Sequence, residues 1–337
     1  MSGPPAFTPD GQWVVYLGVE TVNGQLSLRK MRPDGSDDRL LAMMPRFAPF
    51  GVLKMRVSPD GRLVAAASMA TIAIVRLDAP AEPAWYGRDL GPQDYIRMVG
   101  WTPDSRELLF LVKQWGADVA EEPVLLRALD VDSGARRTIG EVVPRAYLSP
   151  GWDPRSGVRR VPLSTNTTTH REKLAGKRYR FALILMDAES GQREIITEDS
   201  CWWGNVSMTA DERWLAYAVC EPEGEGARIR EVHLRDLESG EDRILASMDH
   251  WLGRVLLSPD GTTVLAASCE AGPVTEAPRL CTTSILTPGG QVLAFPEGWS
   301  PLAWAADGQI YLGDDLNTPR RVALGSVSSG ELEVIFP

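Results

Sequence analysis

Short apolar or β-branched runs recur along the whole chain, separated by clusters of Pro, Asp, Gly and Ser. Trp13–Leu17, Leu63–Ala67, Leu108–Val112 and Thr263–Ala267 are four of them, and Phe181–Met186 and Arg193–Thr197 are a fifth and sixth. Runs this short, alternating or rich in branched residues and bounded by turn formers, predict strands. Apolar positions at helical spacing are absent. The pattern is that of an all-β protein.

The turns repeat. An apolar residue followed by Ser or Thr, Pro, Asp and Gly occurs at Phe7–Gly11, Val57–Gly61, Trp101–Ser105 and Leu257–Gly261, with weaker copies at Leu148–Gly151, Met208–Glu212 and Trp304–Gly308. Pro presets φ at the first central position, Asp bonds the backbone two residues on, and Gly accepts φ > 0. A second phrase follows each first one. It reads Asp130–Gly134, Asp187–Gly191 and Asp236–Gly240, and more loosely Arg32–Ser36, Thr287–Gly290 and Val327–Gly330. Each unit therefore holds four strands, a to d, with the first turn between a and b and the second between c and d. Four antiparallel strands in a repeat of 40 to 50 residues describe one blade of a β-propeller. The third letters of the first phrase fall at 9, 59, 103, 150, 210, 259 and 306, so seven units fill the 337 residues. The expectation is a single seven-bladed β-propeller domain, with blades at roughly 1–46, 47–92, 93–140, 141–198, 199–248, 249–296 and 297–337. The first blade has only Pro4–Phe7 available for its strand a, so closure of the ring is expected to be loose.

Composition narrows the function. Forty-four per cent hydrophobic residues support a large core. A net charge of −10 argues against nucleic-acid binding, which needs a basic surface. No run approaches the roughly 20 apolar residues of a membrane span, so membrane insertion is not expected. Met-Ser-Gly-Pro-Pro at the start lacks the basic and apolar regions of a signal peptide. His170, His233 and His250 are far apart, with no metal-ligand spacing. No metal and no cofactor are expected.

The two phrases at these spacings resemble the TolB-like family of propeller repeats, and also those in the N-terminal propellers of prolyl-oligopeptidase and dipeptidyl-peptidase-type serine peptidases. The resemblance covers essentially the whole chain and implies the fold, which hosts many activities. No βαβ segment precedes Phe7, as the additional domain of TolB would require. No G-x-S-x-G elbow occurs; the nearest string, Gly325–Gly330, has Val327 at the nucleophile position. No catalytic residue carries over. The sialidase-type Asp box is absent too.

Three features could carry function. Cys201 and Cys220 fall on strands a and b of blade 5, at positions that a hairpin centred between Ala210 and Asp211 sets opposite each other. Cys269 and Cys281 flank the b–c loop of blade 6. Two disulfides are within reach and would imply an oxidising compartment; four buried free cysteines are the alternative. The segment 155–180 carries eight cations, among them Arg159, Arg160, Arg171, Lys173, Lys177 and Arg178, against the single acid Glu172. It could hold a carboxylate or phosphate, or be a solvated insertion. Aromatics recur at the start of strand a: Tyr95, Trp202, Trp203, Trp251 and Trp299. They could ring one mouth of the central channel as a binding rim, or pack between blades.

The leading expectation is a non-enzymatic propeller, monomeric and periplasmic or secreted, that binds a protein or peptide on one loop face. The second is the substrate gate of a serine peptidase whose hydrolase domain, or another domain, is missing. A propeller enzyme such as a lyase ranks third.

Overall fold

The computed structural model describes residues 5–20, 25–44, 54–67, 71–78, 82–86, 94–114, 124–142, 146–148, 157–168, 180–201, 206–221, 228–248, 251–269, 281–305, 308–314 and 321–336. Every regular element among them is a strand, and the strands form seven four-stranded antiparallel blades. Blade 1 holds β1 (Ala6–Phe7), β2 (Val14–Glu20), β3 (Gln25–Met31) and β4 (Arg39–Met44). Blade 2 holds β5 (Lys54–Val57), β6 (Leu63–Ala67), β7 (Ile72–Arg76) and β8 (Ala84–Tyr86). Blade 3 holds β9 (Asp94–Trp101), β10 (Glu107–Gln114), β11 (Val124–Asp130) and β12 (Arg136–Val142). Blade 4 holds β13 (Ala146–Leu148), β14 (Arg160–Asn166), β15 (Phe181–Asp187) and β16 (Arg193–Thr197). Blade 5 holds β17 (Val206–Met208), β18 (Trp214–Glu221), β19 (Arg228–Asp236) and β20 (Asp242–Ser247). Blade 6 holds β21 (Trp251–Leu257), β22 (Val264–Cys269), β23 (Cys281–Thr287) and β24 (Gly290–Ala294). Blade 7 holds β25 (Ser300–Trp304), β26 (Ile310–Gly313), β27 (Val322–Gly325) and β28 (Leu332–Phe336).

Packing between blades makes the core. The buried apolar residues divide into seven clusters, and each lies between two neighbouring blades. A blade sandwiched on both faces needs apolar residues on both, which explains why middle strands read as continuous runs. Phe181–Met186 in β15 is buried throughout, whereas the outermost β16 exposes its first three residues. The seventh cluster closes the ring: Phe7, Val14 and Met31 of blade 1 meet Leu302, Ala303, Tyr311 and Val322 of blade 7. The rings of Phe7 and Tyr311 stack at 4.1 Å. Blades 1 and 7 are separate sheets of consecutive strands, so closure rests on side-chain packing and no strand is shared.

The first repeated phrase builds the same small network in blade after blade. Ser58 Oγ donates to Asp60 Oδ1 and accepts from Leu63 N–H at 2.9 Å, and Asp60 accepts from Arg62 N–H at 3.0 Å. Thr8, Thr102, Thr209 and Ser258 repeat it with Asp10, Asp104, Asp211 and Asp260. The last turn position has positive φ: 71° at Gly61, but also 62° at Ser105 and 57° at Glu212. A side chain there costs on the order of 1 kcal/mol. Both residues offset it with bonds across a blade boundary. Ser105 Oγ accepts from Asp60 N–H, and the Glu212 carboxylate accepts from Arg159 N–H and Arg160 N–H.

Candidate functional site

Chain direction sorts the loops onto two ends of the ring. Strand a runs toward the a–b turn, so the a–b and c–d turns share one end, the turn face. The b–c and d–a connections share the other, the loop face. The first strands of the blades are neighbours around the axis, β1 beside β5, β5 beside β9, and β21 beside β17 and β25. They enclose the central channel.

Those inner strands carry cations. Lys54 opens β5 at its loop-face end, and Arg56 follows two residues on, on the same side of the strand. Arg97 lies in β9 and Arg254 in β21. Packing holds their backbones: the indole of Trp101, fully buried, donates to Arg56 O at 3.1 Å, and Ser207 Oγ accepts from Leu257 N–H at 2.9 Å. The Arg254 guanidinium donates to Pro301 O at 3.0 Å, and that of Arg56 to Met55 O at 3.1 Å. Burial first, and then repulsion from Arg97, Arg56 and Arg254, depress the Lys54 ammonium from 10.5 to about 7. Blades 2, 3 and 6 thus each carry a cation on the inner strand.

Both disulfides are present. Cys201 is bonded to Cys220 across a Cα–Cα separation of 4.9 Å, and Cys269 to Cys281 across 4.0 Å. Cys269 and Cys281 are direct cross-strand partners. In blade 5 the ladder is offset from simple hairpin counting: Ser200 faces Val219, but Val206 faces Tyr217. The cysteines meet through that irregularity. Cys201 lies before β17, Cys220 near the end of β18, Cys269 ends β22 and Cys281 opens β23, so both bridges brace the loop face.

The other expected site residues scatter. Trp299 is 9% exposed and packs between blades 6 and 7 with Phe295 and Leu312; the Arg321 guanidinium lies 5.4 Å from its ring centre. Tyr95 and Trp251 fall in the loop-face halves of β9 and β21, with only their backbones described, and Trp202 and Trp203 lie outside the described residues. The basic segment divides between the two ends. Arg159 and Arg160 sit at the turn-face end of β14, where Arg160 Nε is 3.3 Å from the Glu212 carboxylate. Arg171, Lys173, Lys177 and Arg178 fall in the b–c connection, outside the described residues. The channel cations escaped the sequence reading, although a signal existed. Each interrupts an apolar inner strand a few residues ahead of the first phrase.

A second cluster of titratable groups lies away from the axis. His233 on β19 stacks on Tyr217 at 5.0 Å, with Nδ1 3.1 Å from Asp242 and Nε2 3.1 Å from Glu231. Burial pulls the imidazole down, but the two carboxylate bonds outweigh it and the net shift is upward. Tyr217, raised by burial, donates to Asp242 as well. A carboxylate thus stands at each ring nitrogen, and all the partners belong to blade 5. Among the described residues no group of three His, Cys, Asp or Glu side chains is placed to hold a metal.

No protein-family model matches the sequence, and no curated protein matches it. Solved structures do. The β-propeller domain of the Trilobed protease from Pyrococcus furiosus, described as having an open velcro topology, superposes with a TM-score of 0.63 at 16% identity, over 99% of this chain and 97% of that one. An oligogalacturonate lyase from Vibrio parahaemolyticus gives 0.63 at 13% identity, over 98% and 87%. A protein described as a TolB, from Agrobacterium tumefaciens, gives 0.50 at 17% identity, over 82% and 92%. At these identities the likeness is one of fold, and it agrees with the propeller of the TolB and prolyl-oligopeptidase type expected from the repeats.

Proposed function

We propose that this chain is a non-enzymatic propeller that binds a protein or peptide at the loop face, around the channel mouth. The observation that carries the reading is the placement of the two disulfides. Both tie strand ends at the loop face, one beside the inner strand of blade 5 and the other across the b–c connection of blade 6. A rim braced in this way loses less conformational freedom on binding a ligand. The turn face is already closed by its Ser/Thr–Asp networks. Disulfides suit an oxidising compartment, and the reading includes a periplasmic or secreted location. Panning a random peptide library on the immobilised, oxidised protein tests the function. Enriched peptides should bind the wild type and lose at least tenfold in the Trp202→Ala/Trp251→Ala variant, about 1.4 kcal/mol. Failure to enrich any sequence, or equal affinity for the variant, overturns it.

The alternative is a substrate-gating propeller of a larger serine peptidase. Its support is the likeness to the propeller domain of a protease, which is a likeness of fold. Supplying a prolyl-oligopeptidase-type hydrolase domain in trans should then restore peptide cleavage.

A further inference from the structure

Hydroxyl–carboxylate networks close the individual a–b turns, but between the turns of blades 1 and 2 a cleft of about 370 Å3 opens on the turn face. Two blade boundaries differ here. Trp214 and Trp13 hold the same place in their blades: the backbone N–H of each donates to the threonine hydroxyl that opens its turn, on Thr209 and Thr8. Trp214 reaches the next blade, so that a Cβ added at Gly261 would lie 2.3 Å from its ring. A Cβ added at Gly61, the matching residue of blade 2, would meet nothing nearer than Pro9 Cδ at 3.8 Å. Trp13 is instead held by cations of its own blade, with Lys30 Nζ and the Arg32 guanidinium each 4.2 Å from its ring centre. Space that an indole fills between blades 5 and 6 is therefore left open between blades 1 and 2.

The walls of the cleft carry both signs of charge. Lys30 Nζ donates to Leu77 O at 2.6 Å across the boundary, and an ammonium has further N–H groups to give. Arg62 lines the cleft from blade 2. Asp10 and Asp60 use Oδ1 for the hydroxyl and backbone bonds of their turns, which leaves Oδ2 of each as an acceptor. Asp78 is paired with Arg76 at 2.7 Å. Trp13, Pro9, Pro59 and Leu77 supply the apolar wall between these groups. An anion would meet Lys30 and Arg62 but also two carboxylates, and a cation would face the reverse. A hydroxyl avoids that conflict, because it donates to a carboxylate and accepts from an ammonium or a guanidinium. The volume falls within the range of small-molecule sites, about 300–1,000 Å3.

We propose that this cleft binds an uncharged polyol, a neutral mono- or disaccharide. Its hydroxyls are shared between Lys30, Arg62, Asp10 and Asp60, and its C–H surface lies against Trp13 and the prolines. The site is at the opposite end of the ring from the loop face and does not depend on the peptide-binding reading.

Saturation-transfer NMR on the whole chain tests it, with maltose, lactose, cellobiose and trehalose as probes and glycylglycine as a zwitterion of similar polarity. At least one of the sugars should receive transfer, with an affinity that changes little between low and high salt. Affinity should fall roughly tenfold in Arg62→Met and in Trp13→Leu. Arg62 is exposed, and leucine is the residue that blade 2 carries at the place of Trp13, as Leu63, so both variants should fold; thermal unfolding checks this. The Trp202→Ala/Trp251→Ala variant should bind the sugar as the wild type does. Transfer to none of the sugars overturns the proposal, as does undiminished affinity in folded Arg62→Met. Glycylglycine binding as tightly as the best sugar also overturns it, since the site would then select paired charges. Sugar binding lost in the Trp202→Ala/Trp251→Ala variant alone would move the sugar to the loop face and remove the cleft. An empty peptide panning experiment leaves the cleft standing.

Discussion

The turn face and the channel treat charge in opposite ways. At the turn face, carboxylates sit within a lattice of donors. Hydroxyl hydrogen bonds hold Asp104, Asp211 and Asp260 below the usual carboxylate range, and Ser133 and Ser190 do the same for Asp130 and Asp187 in the c–d turns. Glu212 goes further, binding two backbone N–H groups and Arg160 of the preceding blade. In the channel, cations of one sign gather, and burial and mutual repulsion drive one of them toward neutrality. Local turn chemistry repeats because each turn must satisfy its own backbone. The inner strands do not repeat in this way: among the described residues Lys54 and Arg56, Arg97, and Arg254 stand on the inner strands of blades 2, 3 and 6.

The contrast can be broken from either side. The largest loss is expected on the loop face: replacing both members of either cystine by serine should cost about 3 kcal/mol in urea unfolding, since the bridges close short loops of 12 and 19 residues. Next is Glu212→Ala at the turn face, with an expected loss of about 2 kcal/mol, because two N–H groups lose their acceptor and Arg160 its carboxylate partner, keeping only the backbone carbonyl of residue 212. Asp260→Ala should cost about 1 kcal/mol through Ser258 and Thr262. Part of that should also disappear from the wild type in acid, as a depressed carboxylate stabilises above its unfolded pKa and stops doing so as pH falls through the folded one.

Lys54→Met should have the opposite sign. A lysine depressed on folding leaves the native state with fewer protons than the unfolded chain between about pH 7 and 10.5, so wild-type stability rises with pH across that window. The variant should gain about 1 kcal/mol at pH 7 and lose that slope. A destabilised Lys54→Met would mean that the ammonium is satisfied in the folded protein. The smallest effect, about 0.5 kcal/mol, is expected of His233→Gln. Its raised imidazolium stabilises below about pH 6.5 and ceases to do so as pH rises through the folded value, so the variant should flatten that limb.

The fold was legible because its determinants are local. Thr8, Ser58, Thr102, Thr209 and Ser258, each two residues ahead of an Asp, announce a turn that needs nothing beyond five residues to form. Spacing then sets blade number, and Cys269 and Cys281 are paired by the same hairpin logic. Ser105 and Glu212 were legible only as imperfect copies, because their compensation comes from Asp60 and from Arg159 and Arg160 in neighbouring blades.

What the chain order determined by itself is the seven-fold run of strands and turns, set by backbone hydrogen bonding over short separations, and the two cysteine pairs as candidates, of which Cys269 and Cys281 are direct ladder partners while Cys201 and Cys220 meet across a break in register. Tertiary structure alone decided that Trp299 is shared between blades 6 and 7, that Arg160 pairs with Glu212 of the next blade, and that Arg254 acts on the Lys54 ammonium. The physical reason is ring closure. Residues 200 positions apart become neighbours only when blade 7 packs on blade 1, and no local signal records which side chains that closure aims at a common axis.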